Sequence, residues 1–120
     1  MIKNMLMIAA GGALGSMGRY GLSLLASHLL IRAEWATLTA NACGSFLIGL
    51  FLPCVNSELF LFYTVGLCGG FTTFSTFSSQ SLRLLHDGQY FWGLLYMAGS
   101  VVLSLGMVAF GWYCRQRIGG

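Results

Sequence analysis

Apolar residues fall into four long stretches separated by short polar connections. The first stretch runs from about Met5 to His28, the second from about Thr37 to Cys54, the third from about Leu59 to Leu85 and the fourth from about Tyr90 to Cys114. Pro53, the only proline, closes the second. Each stretch reaches or approaches the roughly 20 residues that an α-helix needs to cross a bilayer core. Helices are the sensible solution there, because lipid leaves open backbone donors and acceptors unsatisfied. The pattern predicts an all-α integral membrane domain over residues 1–120, with four transmembrane helices. The connections carry most of the charge: Arg32 and Glu34 follow the first stretch, Asn56, Ser57 and Glu58 the second, and His86, Asp87 and Gly88 the third, while Arg115 and Arg117 end the fourth.

Composition agrees with this solvent. The chain is 57% hydrophobic and 8% charged, with a mean hydropathy of +0.78. Six basic and three acidic residues cannot cover a soluble domain of 120 residues. A net charge of +3, spread along the chain, gives no nucleic-acid surface. Cys43, Cys54, Cys68 and Cys114 show no metal-ligand spacing and read as packing residues. The first apolar run continues past Gly21, which is too long for a cleaved signal peptide.

Four spans place both termini on one side. Lys3, Arg115 and Arg117 then face that side, and Arg32 and Arg83 the other, a split with almost no positive-inside bias. Two explanations fit: a small protein with few charges to distribute, or a chain that inserts both ways and pairs with an inverted copy. Four short helices also enclose a shielded polar path poorly, so a conducting form is expected to be an oligomer. Gly11 with Gly15, and Ser45 with Gly49, are small-xxx-small pairs that allow close helix contact.

The third stretch carries the chemistry. From Thr72 to Ser81, seven of ten residues bear hydroxyls, and the others are Phe74, Phe77 and Gln80. Gly69 and Gly70 precede them, and glycines followed by β-branched threonines weaken a helix. A helix broken at its centre is expected, which at membrane depth lines a cavity or a site. Hydroxyls bonded back to their own helix would instead only bend it. Phe74 and Phe77 could present positive ring edges to a small anion, or simply pack. Hydroxyl and amide donors suit an anion and acceptors suit a cation, so residue types alone leave the sign of the ion open.

Asn41 shares a face with Thr37 and Ser45 and could donate into a pore or join two helices. Arg19, about fifteen residues into the first stretch, is either functional or snorkels to the interface. Glu34, Glu58 and Asp87 all lie in connections, so no deep carboxylate is available for proton-coupled export. Neither His28 nor His86 has the partners of a catalytic set, and no enzyme is expected.

Three segments resemble the Fluc (CrcB-type) family of fluoride channels. They are Gly11-Gly-Ala-Leu-Gly-Ser-Met-Gly-Arg-Tyr20, Thr37-Leu-Thr-Ala-Asn-Ala-Cys-Gly-Ser-Phe46 and, most specific of the three, Gly69-Gly-Phe-Thr-Thr-Phe-Ser-Thr-Phe77. The resemblance covers nearly the whole chain. It implies an antiparallel, dual-topology homodimer in the cell inner membrane that lets fluoride leave the cytoplasm passively through two pores, relieving its toxicity. It implies that Phe74, Phe77, Asn41, Ser75 and Thr76 line the pores and that Arg19 lies at a vestibule. It also implies that the backbone carbonyls of Gly69 and Thr72 from both subunits hold a structural sodium ion at the dimer interface. One departure is Gln80, where many members carry Glu. The alternative is a small multidrug-type exporter, which shares the size and dual topology but needs a buried acid. A non-transporting adapter leaves the polar third stretch unexplained.

Overall fold

The computed structural model describes residues 1–52 and 58–119, without the side chain of Glu58. Pro53 and Cys54, and the connection residues Asn56 and Ser57, lie outside the described residues. Among the described residues every regular element is helical. Helix α1 spans Ile2–His28 and α2 spans Ala33–Phe51. The third run is composite: α3 (Glu58–Phe60), a π-helical segment (Leu61–Cys68), α4 (Gly69–Phe71) and, after a gap, α5 (Ser75–His86). Helix α6 spans Tyr90–Gly119 and closes the chain. The longest dimension is 46 Å, similar to a bilayer of about 40–45 Å with its headgroup layers.

Both connections on the Arg32 side use the same backbone device. After α1, Ile31 N–H donates to Ala26 O at 2.8 Å; after α5, Gln89 N–H donates to Leu84 O at 2.9 Å. These six-residue closures satisfy the last carbonyls of each helix and need one left-handed residue. Gly88 fills that role at φ 79°, whereas Leu30 does so at φ 60° with a side chain that disfavours it.

Packing follows the small residues. Cβ atoms at Gly11 and Gly15 would collide with the carbonyls of Phe62 and Leu67, so α1 lies backbone to backbone on the third run. The contact is reciprocal, since a Cβ at Gly70 would sit 2.6 Å from Gly12 O. Helix α2 meets α6 in the same way: a Cβ at Gly49 would strike Val108 O, and one at Gly111 would strike Phe46 O. The paired small residues of the sequence therefore have assigned partners, Gly11 and Gly15 on the third run and Gly49 on α6.

The core is correspondingly thin. Ala36, Ala40, Cys68, Phe77 and Leu84 are buried, while large apolar residues stand exposed along α1 and α6. Such a surface is stable in lipid and not in water. Among the described residues, Tyr90–Ile118 is the one helix both long and apolar enough to cross a membrane by itself. Helix α1 has the length, with 27 residues, but glycines and Arg19 dilute it. Of the cysteines expected to pack, Cys68 is buried, Cys114 is half-buried and Cys43 is exposed.

Candidate functional site

The helical run stops at Phe71 and resumes at Ser75. Thr72 is extended, at φ −85° and ψ 158°, and Phe74 caps the new helix. The glycines are not where it stops. Gly69 and Gly70 remain helical, and Gly70 is needed for the close approach of α1. The interruption falls where β-branched Thr72 and Thr73 meet the run of hydroxyls.

Each backbone group freed at the gap needs a partner. Asn41, on α2, serves Thr73 at both ends: its Nδ2 donates to Thr73 O at 3.1 Å, and its Oδ1 accepts from Thr73 N–H at 2.8 Å. Of its two readings, the interhelical bond is thus present, and one amide hydrogen is unused among the described residues. Arg19 turns back onto the third run, where Nε donates to Gly70 O at 3.2 Å. Thr76 N–H donates to Thr73 Oγ1 at 3.2 Å, and that hydroxyl lies 3.3 Å from Ser75 Oγ.

Two groups of atoms are left over. On the α4 side, the amides that would bond Gly69 O and Thr72 O in a continuous helix belong to Thr73 and Thr76, and both donate elsewhere. On the α5 side, the amides of Phe74, Ser75 and Phe77 have no hydrogen-bond partner among the described residues. The gap therefore presents carbonyls at one edge and N–H donors at the other. A helix start attracts negative charge through its free amides and its dipole. The sign left open by residue type resolves into two edges, one suited to a cation and one to an anion.

The hydroxyls divide as well. Thr72, Ser78, Ser79 and Ser81 bond back to the carbonyls of Cys68, Phe74, Thr76 and Phe77. These four follow the bent-helix reading and leave Thr73, Ser75 and Thr76 at the gap. Phe74 and Phe77 stand beside them with ring centroids 5.7 Å apart, tilted by 44°. Phe77 is buried against Tyr96, at 5.3 Å, whereas Phe74 is 77% exposed.

Sequence reading missed two contributors on α6. Tyr96 Oη donates to Gln80 Oε1 at 2.7 Å, so the neutral amide at this position accepts a bond from α6. Ser100 is buried, and its Oγ has no hydrogen-bond partner among the described residues. Nothing marks either residue in sequence, because a lone Tyr or Ser in an apolar helix is ordinary.

These features define a helical protein with an apolar exterior and a polar interruption held by Asn41 and Arg19. The chain matches the family described as CrcB-like protein, Camphor Resistance (CrcB), over residues 6–112, and it belongs to that family. It is 44% identical to a fluoride-specific ion channel FluC of Thermus thermophilus, covering 99% of this chain and 97% of that protein. It is 42% identical to the protein of the same name from Phocaeicola vulgatus, over 87% of this chain and 91% of the relative. The like-named protein of Opitutus terrae is 46% identical over 83% of each.

Proposed function

We propose that the chain is a passive, fluoride-selective channel that lets fluoride out of the cytoplasm and so relieves its toxicity. The observation that carries this reading is the α5 edge of the gap: free amides of Phe74, Ser75 and Phe77, hydroxyls of Ser75 and Thr76, and two phenyl rings. The donors replace part of the hydration that a small anion loses in a narrow path. Asn41 joins them with its remaining amide hydrogen, and Arg19 adds positive charge toward a vestibule. The names of the relatives support the same ion. The exporter alternative is disfavoured because Glu34 and Glu58 lie in the first turns of α2 and α3 and Asp87 in a connection, leaving no acid deep in a helix. Liposomes loaded with fluoride or chloride, read with ion-selective electrodes, test the proposal. Fluoride should leave and chloride should stay; equal release overturns the reading.

The working form is a homodimer of antiparallel copies, inserted multi-pass in the inner membrane. Gly69 supports a dimer: a Cβ there would meet only Thr64 O, at 3.8 Å, so the glycine is not needed for packing within one copy. The absent side chain instead leaves its carbonyl open to approach from a neighbour.

Gly69 O and Thr72 O fit the structural sodium expected at that interface, being carbonyls without their helical partners. Two copies supply four such oxygens, a donor set suited to a small hard cation and closed to anions. A sodium ion held there would fix the two gaps to one another without being transported. Prolonged exchange of sodium for a large organic cation should lower fluoride efflux, and restored sodium should recover it. Efflux unchanged after verified sodium removal would reject the site.

A further inference from the structure

Gly44 lies in the interior of α2 and is buried. Glycine is the poorest helix former after proline, and Gly44 is not in the left-handed region that would call for it. Its use is spatial. A Cβ at Gly44 would collide with Cγ2 of Thr72, the residue where the third run leaves its helix. The Thr72 methyl thus sits in a hollow that exists because α2 has no side chain there. The other branch of the same side chain is also engaged: Oγ1 donates to Cys68 O at 2.9 Å, and Thr72 N–H donates to the same carbonyl at 2.9 Å. With both branches of a β-branched side chain held, χ1 is fixed, and the extended backbone that carries Thr72 O is held with it. Asn41, one turn earlier on α2, binds Thr73 at both ends. The neighbouring part of the carbonyl edge is held from α1. Arg19 Nε donates to Gly70 O at 3.2 Å, and a Cβ at Gly70 would lie 2.6 Å from Gly12 O. Helix α1 therefore fixes the segment that carries Gly69 O, and α2 fixes the residue that carries Thr72 O.

We propose that Gly44 is a positioning residue for the cation site: by admitting the Thr72 methyl it sets the direction of Thr72 O, and so how tightly two copies hold sodium. The inference rests on the sodium site proposed above. Gly44 touches no ligand oxygen itself and acts through the Thr72 side chain. Groups that orient a metal ligand in this indirect way typically contribute roughly 10- to 100-fold to affinity. The surroundings of Gly44 also supply a control. Beyond Cγ2, the atoms nearest an added Cβ are Thr72 Cβ at 3.6 Å and Phe71 Cδ2 at 3.8 Å, both ordinary van der Waals distances. The collision therefore involves one methyl group, and Thr72→Ser removes that methyl while keeping the hydroxyl that bonds Cys68 O.

The test is thermal unfolding of the detergent-solubilised dimer across a range of sodium concentrations, with N-methylglucamine holding the ionic strength constant. A cation bound by the folded dimer alone raises the melting temperature as its concentration rises. Gly44→Ala should raise the sodium concentration that gives half of this stabilisation roughly 10- to 100-fold. Thr72→Ser empties the hollow without a collision and should raise it less. Gly44→Ala combined with Thr72→Ser refills the hollow and should need less sodium than Gly44→Ala alone. Fluoride efflux measured against sodium should shift in the same order. Parental sodium dependence in Gly44→Ala would overturn the proposal. So would a melting temperature lowered equally at every sodium concentration, which is what a packing defect alone produces. A Gly44→Ala protein, assembled or not, that Thr72→Ser fails to improve would overturn it as well. A parental dimer whose melting ignores sodium would instead overturn the sodium site itself.

Discussion

Phe74→Ile should assemble as a dimer yet conduct fluoride about tenfold more slowly, taking the quadrupole contact of one ring edge as about 1.4 kcal/mol. Within one copy Phe74 is 77% exposed, so an apolar replacement removes almost no internal packing. What it removes is the quadrupole, whose positive edge can face an anion. Phe77→Ile tests the same idea less cleanly, since Phe77 is buried and touches Tyr96 at 5.3 Å. The loss of its ring should also weaken the α5–α6 contact. Elution volume in size-exclusion chromatography separates a folded, silent dimer from a misfolded one. Dimers of both variants conducting at the parental rate would make the rings ordinary packing.

Asn41→Leu should be the most damaging single change in α2. The new side chain has similar bulk but offers nothing to Thr73, whose N–H and C=O both lose their partner. An orphaned group that is fully buried costs about 1–3 kcal/mol; both bonds here are part-buried, so the two together cost roughly 1–3 kcal/mol. Thermal unfolding of the detergent-solubilised protein should fall sharply, and fluoride efflux should disappear with it. Asn41→Asp keeps the acceptor for Thr73 N–H and should melt at an intermediate temperature. It should still conduct poorly, because it adds negative charge beside an anion path. Parental melting of Asn41→Leu would show that Thr73 finds another partner.

The helical runs were legible because lipid demands long apolar segments, and the hydroxyl-rich stretch stood out against them. Their ends were less so. Helix α2 begins at Ala33, before the apolar pattern that starts near Thr37, because Glu34 and Trp35 extend it into a polar connection. The gap follows Gly69 and Gly70 without including them, because those glycines have two uses. Helix-weakening residues and close-packing residues look alike in sequence, and here the glycines serve a neighbour. Asn41 was legible as a polar residue facing inward. Its pairing with Thr73 was not, since that bond joins residues 32 apart through tertiary packing. Back-bonding likewise claimed four hydroxyls that residue type alone could not distinguish from the three left at the gap.

The π-helical segment Leu61–Cys68 changes how this span is to be numbered around its axis. An α-helix turns by about 100° per residue, and a π-helix turns by less because each bond reaches one residue further. A helical wheel drawn through residues 58–71 therefore loses phase within the segment. Gly66, inside it, and Gly70, beyond it, both face α1. Deleting one residue between Leu61 and Cys68 offers a regular α-helix as the local remedy, but it would rotate one flank of the span relative to the other. Either Gly66 and Gly70 would turn from Gly11 and Gly12, or the hydroxyl face beyond Phe71 would turn from Asn41. Length in this segment is thus a rotational setting, and a shorter relative can keep both faces only by a compensating change elsewhere in the same run.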